Sequence, residues 1–113
     1  MSDARLPTGL WVDAHLRQMT LACIPYYVAQ KGAYASGTVL LKINLLNGLC
    51  RVLSQIRGIN GELGWMKALK DEQVAESDAD AYIRRAINRD PDLWVIEIED
   101  RSGQNPFEGK QIL

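Results

Sequence analysis

The chain has 113 residues, 47% hydrophobic and 24% charged, with a formal net charge of -1. That length fits one domain, 1–113, around one core, and the composition is that of an ordinary soluble globular protein. The charge balance supplies no field for nucleic acid or an anionic membrane, no apolar run approaches the roughly 20 residues that span a bilayer, and two cysteines without a CxxC, beside one histidine, make no structural zinc set.

Residues 1–7 read as a short tail ending at Pro7. Met1-Ser2-Asp3-Ala4-Arg5 has no apolar segment behind it, so it does not read as a signal peptide, and a cytoplasmic location is expected. There Cys23 and Cys50 would be reduced thiols, and their apolar neighbours mark both as core filler. Thr8 is placed to cap a helix that begins near Gly9. Val12, Leu16, Met19 and Cys23 recur at helical spacing with Trp11 beside them. His15 lies one turn after Trp11. With no second histidine to join it, it reads as a packed or solvated side chain rather than a ligand.

Pro25 stops the helix, and Tyr26 to Lys31 is β-prone, with the proline suited to the first residue of an edge strand. Gly32 to Gly37, with Tyr34 and Ser36, is a flexible connection and not a phosphate loop, since no Gly-Lys-Ser/Thr follows. Thr38 to Leu46, Asn47-Gly48 and Leu49 to Arg57 spell a hairpin on a type I′ turn. A two-residue turn puts Ile43 opposite Val52 and Leu46 opposite Leu49. One face then carries Val39, Leu41, Ile43, Leu45, Cys50, Val52 and Ile56. The other carries Lys42, Asn44, Arg51, Gln55 and Arg57, with Leu40 and Leu53 among them.

Asn60-Gly61 turns the chain again, and Glu62 to Lys67 makes a short strand with Trp65. Lys70 to Glu76 reads as loop. Ser77-Asp78-Ala79-Asp80 resembles a capping box with a short acid in fourth place. The helix after it carries the stripe Ala79, Tyr82, Ile83, Ala86, Ile87, and Arg84, Arg85 and Arg89 complement its dipole. Asp90-Pro91 ends it. Leu93 to Ile98 is the strongest strand signal: Trp94, Ile96 and Ile98 form one apolar face, and Leu93 and Val95 open the other. That marks a central strand, with Trp94 expected against the second helix's stripe. Phe107 to Leu113 is a tail that Phe107 pins to the body.

Leu10-Trp11-Val12-Asp13-Ala14, Lys31-Gly32-Ala33-Tyr34, Asp90 through Arg101 and Asn105-Pro106-Phe107, in that order, resemble the small, mainly alphaproteobacterial proteins grouped as domain of unknown function 1491. The resemblance covers nearly the full length. It implies a bacterial cytoplasmic protein and carries over no reaction, ligand, partner or functional residue.

Three constellations bear on function. Pro91-Asp92 followed by Glu108-Gly109-Lys110 mimics the Pro-Asp and Glu-x-Lys order of restriction-type nucleases, in which two acids hold Mg²⁺ and a lysine helps activate water. Glu108, however, sits between turn residues, and Pro91 already serves as a helix stop. Glu97 and Glu99 share a strand face at a spacing that suits a divalent cation, but Lys42, Arg51 and Arg57 across the sheet offer them simpler partners. Leu40, Leu53, Leu93 and Val95 form an apolar patch on the outer face, a surface for the C-terminal tail or for a second copy in a homodimer.

The expected fold is α+β: a mostly antiparallel sheet of four or five strands with both helices on the face of Val39, Leu41, Ile43, Val52, Trp94, Ile96 and Ile98. The expected function is a non-enzymatic binding or adaptor module acting on an unidentified protein partner, with no catalytic residue, metal or cofactor assigned. The alternative is a small metal-dependent nuclease or phosphodiesterase using Asp92, Glu108 and Lys110.

Overall fold

A computed structural model describes residues 6–112. In chain order the elements are α1 (Thr8–Leu21), β1 (Tyr26–Gln30), β2 (Val39–Asn44), β3 (Leu49–Arg57), β4 (Leu63–Lys67), β5 (Val74–Ala75), α2 (Glu76–Arg89), β6 (Trp94–Glu99) and β7 (Lys110–Gln111). The chain is α+β, as its patterning implies. The sheet is larger than expected and it is mixed. Its strands run β1-β6-β2-β3-β4-β7, with β5 added beside β3. β6 lies parallel to β2 and β7 parallel to β4, while the other pairs are antiparallel. The parallel β2–β6 pair follows from the connection between them. Antiparallel neighbours can be joined by a tight turn, whereas a parallel pair needs a long crossover, and α2 lies within it.

The helices lie on opposite faces of this sheet, not on one. Trp11, Val12, Leu16 and Met19 of α1 cluster with Val39, Leu41, Ile43, Leu53, Trp65, Trp94, Ile96 and Ile98. Ala79, Ile83 and Ala86 of α2 cluster with Leu40, Cys50, Val52, Leu93 and Val95. Alternation along β2 and β6 therefore serves two cores, and a helix covers each side of both strands. Trp94 is buried as expected, but against α1 rather than the α2 stripe, with its indole N–H donating to the Ala33 carbonyl at 2.9 Å.

The hairpin register also differs from the expected one by one residue. Ile43 stands opposite Arg51 and Leu41 opposite Leu53, not Ile43 opposite Val52. The connection uses three residues, because Leu46 adopts φ 62° and Gly48 φ 90°. Asn44 Oδ1 accepts from the Leu46 N–H at 2.8 Å, Asn47 Oδ1 accepts from the Leu49 N–H at 3.0 Å, and the Leu45 N–H donates to the Leu49 carbonyl at 3.0 Å. A slip of one residue moves every side chain of one strand to the other face. Cys50 and Val52 thus go to the α2 side and Leu53 to the α1 side.

The patch of Leu40, Leu53, Leu93 and Val95 is interior. All four are at most 6% exposed; three lie under α2 and Leu53 lies on the opposite face. They therefore do not form the single exposed outer patch expected from the sequence.

The ends of the helices differ from their expected caps. Pro7 occupies the N-cap of α1 and makes no side-chain cap, while the Thr8 hydroxyl donates to the Gly37 carbonyl at 3.3 Å. Helix α1 stops at Leu21, so Cys23 falls outside its stripe, exposed and at φ 60°. Helix α2 starts at Glu76 behind Ala75 with no side-chain cap, and its first-turn acids Glu76 and Asp78 suit the helix dipole instead. The tail is pinned as anticipated. Phe107 is 3% exposed among Trp11, His15 and Trp65, and β7 extends the sheet beyond β4.

Candidate functional site

At the end of the sheet where β2 and β6 begin and β3 ends, a cleft of about 780 Å³ opens. Four segments wall it. The first turn of α1 supplies Pro7, Thr8 and Trp11, and the connection before β2 supplies Ala35, Ser36, Gly37 and Thr38. The end of β3 and the start of β4 supply Gln55, Ile56, Arg57 and Leu63, and the α2–β6 turn supplies Asp90 and Asp92.

The wall before β2 is held by backbone chemistry that few sequences permit. The Ala33 N–H donates to the Asp92 carbonyl at 3.0 Å, and the Trp94 N–H donates to the Thr38 carbonyl at 2.9 Å. Gly32 passes so close to this segment that a Cβ there would stand 2.3 Å from the Asp92 carbonyl oxygen. Gly37 takes φ 127°, a conformation natural only to glycine. The connection expected to be flexible is thus fastened to α1 through Thr8, and to the start of β6.

A smaller notch of about 310 Å³ adjoins the cleft at Leu6 and Trp11, which line both. His15 lies in it, stacked on Phe107 at 5.0 Å between ring centroids and tilted against Trp11 at 4.3 Å. Its Nδ1 meets the Trp11 carbonyl at 2.8 Å, and its Nε2 stands 3.6 Å from Glu108 Oε1. The Trp11 indole N–H donates to the same Glu108 oxygen at 3.3 Å. His15 is therefore a packed residue, as read. Glu108 serves to fasten the C-terminal segment to α1.

The residues of the nuclease pattern are not brought together. Asp92 precedes β6 and Lys110 lies in β7, with β2, β3 and β4 between them. Four spacings of about 4.8 Å put those strands roughly 19 Å apart, so Lys110 lies well away from Asp92, while the Glu108 carboxylate is held at the Trp11 indole. Among the described residues no group of three or more His, Cys, Asp or Glu side chains is arranged to hold an ion.

Glu97 of β6 has a different use. Lys42 stands beside Glu97 in the β2–β6 ladder, and its ammonium lies 3.6 Å from Glu97 Oε2. Of the pairings read from the sequence, Lys42 with Glu97 is present, whereas Arg51 bonds Glu72 and Arg57 bonds the Gly61 carbonyl; Lys42 is only 4% exposed. It donates to Asp80 Oδ1 at 2.7 Å and Glu76 Oε2 at 2.8 Å. Burial alone would lower the Lys42 pKa. The hydrogen bonds to Asp80 and Glu76 and the charge of Glu97 outweigh burial and hold it above the ordinary lysine value. A lysine ammonium thus lies among the carboxylates of Glu76, Asp80 and Glu97. Cys50 shares this interior, and burial, only partly offset by Lys42, pushes its thiol up to about 11. The sequence reading missed Glu76 and Asp80. Their signal was an i, i+4 acid pair bordering the apolar stripe of α2.

The sheet's edges give little purchase to a partner strand. β1 has five residues, an irregular register between Val28 and Gln30, Pro25 before it and Lys31 after it. β7 has two residues. Short, bulged edges flanked by proline and lysine resist strand addition.

No helix among the described residues is long and apolar enough to cross a membrane. No curated protein matches the chain. The chain is similar to a crystal structure of a DUF1491 family protein from Caulobacter crescentus CB15, at 37% identity and a TM-score of 0.84, over 96% of this chain and 100% of that one. An NMR structure of a DUF1491 family protein from the same organism matches at 37% identity and a TM-score of 0.80, covering 96% of this chain and 97% of that one. The solution structure of Atu0922 from A. tumefaciens matches at 26% identity and a TM-score of 0.69, covering 85% and 86% respectively. The family model described as "Protein of unknown function (DUF1491)" spans residues 6–108, and the chain belongs to that family.

Proposed function

We propose that the chain is a non-enzymatic binding module that engages a protein partner through the cleft at the β2–β6 end of the sheet. The cleft itself carries this reading. Its volume of about 780 Å³ lies within the range of ligand-binding clefts, and such sites combine apolar walls with a few placed polar groups. Here Trp11, Ile56 and Leu63 stand beside Thr8, Ser36, Gln55, Arg57, Asp90 and Asp92. The blunted sheet edges favour a cleft over strand addition as the route to a partner.

The test is selection from a random peptide library displayed on phage, run against wild type and against Ser36→Trp, which plugs the cleft from an exposed position. The expected result is enrichment of peptides that bind wild type and lose binding to Ser36→Trp, while the two proteins melt alike. Failure to enrich, or binders indifferent to the plug, would sink the reading. Plasmid DNA incubated with the chain and Mg²⁺ should stay intact; nicking abolished by Asp92→Ala would favour the nuclease alternative.

A further inference from the structure

The cleft is electrically polar from one end to the other. Asp90 and Asp92 line it where β6 begins, and Arg57 lines it where β3 ends. Only β2 separates those strands in the sheet. The ladders pair Trp94 with Val39 and Leu40 with Ser54. Continued past their ends, they bring Asp92, Gly37 and Arg57 into one row. The closeness of Gly37 to Asp92 supports that row, since a Cβ on Gly37 would stand 2.6 Å from the Asp92 carbonyl oxygen. Two strand spacings then separate the acidic end from the basic end, about 10 Å. Arg57 spends one guanidinium nitrogen on the Gly61 carbonyl at 2.9 Å, which leaves further donors of its fork for a ligand.

We propose that this cleft takes an extended peptide segment of polyproline II type, carrying a lysine or arginine and an acidic residue three positions apart. The cation sits at Asp90 and Asp92 and the acid at Arg57. The proposal rests on the cleft being the protein-binding site. A free amino acid does not fit, because its ammonium and carboxylate lie one residue apart and cannot reach both ends. A β-strand does not fit either, because residues i and i+3 point to opposite faces. In polyproline II, with three residues per turn and a rise of about 3.1 Å, i and i+3 share a face about 9 Å apart. That matches the cleft. The segment has no internal hydrogen bonds, so its carbonyls are open to polar wall residues such as Ser36 and Gln55. The residues between the charges face the half-buried Ile56 and Leu63, beside the largely buried Trp11, which gives prolines an apolar wall.

The experiment measures fluorescence polarisation of four labelled synthetic peptides with the cores Lys-Pro-Pro-Glu, Gln-Pro-Pro-Gln, Lys-Pro-Pro-Lys and Glu-Pro-Pro-Glu. The mixed-charge peptide should bind about tenfold tighter than the equally neutral glutamine peptide, as two solvent-facing ion pairs allow. Arg57→Gln and Asp92→Asn should each weaken the mixed-charge peptide about threefold and leave the glutamine peptide unchanged. Equal binding of those two peptides, both lost in Ser36→Trp, would overturn the charge assignment and leave the cleft as a protein-binding site. A preference for either like-charged peptide would overturn it too. If none of the four binds, this proposal fails, and the phage selection decides the broader reading separately.

Discussion

Lys42 Nζ stands 2.7 Å from Asp80 Oδ1, so a side chain from inside the sheet is clamped to the second turn of α2. Glu76, one turn earlier, accepts from the same ammonium at 2.8 Å. Each acid is 44% exposed while the lysine is 5% exposed at its side chain, so water shares the acids and the protein alone holds the cation. Lys42→Met should cost about 3 kcal/mol, the low end for breaking a buried ion pair, because the stranded acids stay hydrated. Denaturant unfolding at neutral pH checks this, and an unchanged midpoint would remove the clamp from the stability of the fold.

The same clamp has a pH signature. Its folded pKa lies above the ordinary lysine value of 10.5. Its contribution is therefore complete below pH 10.5 and is lost as pH rises through the folded value. The stability difference between wild type and Lys42→Met should be flat from pH 7 to pH 10 and shrink beyond. A difference that grows with alkaline pH would contradict the sign.

Leu46 sits at φ 62° on an exposed turn. A left-handed conformation costs a side-chain-bearing residue about 1–2 kcal/mol, and glycine's extra freedom in the unfolded chain returns part of that. Leu46→Gly should stabilise by about 0.5–1 kcal/mol without shifting the hairpin register. Thermal melts and cross-strand nuclear Overhauser contacts between Ile43 and Arg51 are the readouts. A register with Ile43 opposite Val52 in the variant would show that Leu46 itself sets the pairing.

Phe107 ties the C-terminal segment to α1 through Trp11 and His15 and to β4 through Trp65, and it is 3% exposed. Phe107→Ala should cost about 3–5 kcal/mol and should speed amide exchange at Ile112, whose N–H donates to the Trp65 carbonyl at 2.7 Å. Unaltered exchange there would mean that β7 holds without its aromatic anchor.

The two thiols should separate cleanly. Cys23 is exposed, whereas Cys50 is buried with its thiol pushed up to about 11. The thiolate is the reacting form, so at pH 8 an aromatic disulfide reagent should titrate one thiol in the native protein and two in denaturant. Two fast thiols in the native state would place Cys50 outside the core.

Local chemistry in the sequence determined where the two helices and the longer strands lie. The 3.6-residue spacing of Val12, Leu16 and Met19, the stripe from Ala79 to Ala86, the stop at Asp90-Pro91 and the two-faced apolar run from Leu93 to Ile98 each act within a few residues, and each element formed there. The doubly apolar character of β6 already pointed to cover on both sides. The tertiary structure decided which helix covers which side. Strand side chains repeat every two residues, so the extra turn residue at Leu46 sufficed to send Cys50 and Val52 to α2 and Leu53 to α1. The cleft was decided in the same way. Thr8, Gly37, Arg57 and Asp92 are far apart in sequence, and no local rule places them together. They meet because β6 pairs with β2 in parallel, a contact whose chain-closure cost is met by burying two cores at once.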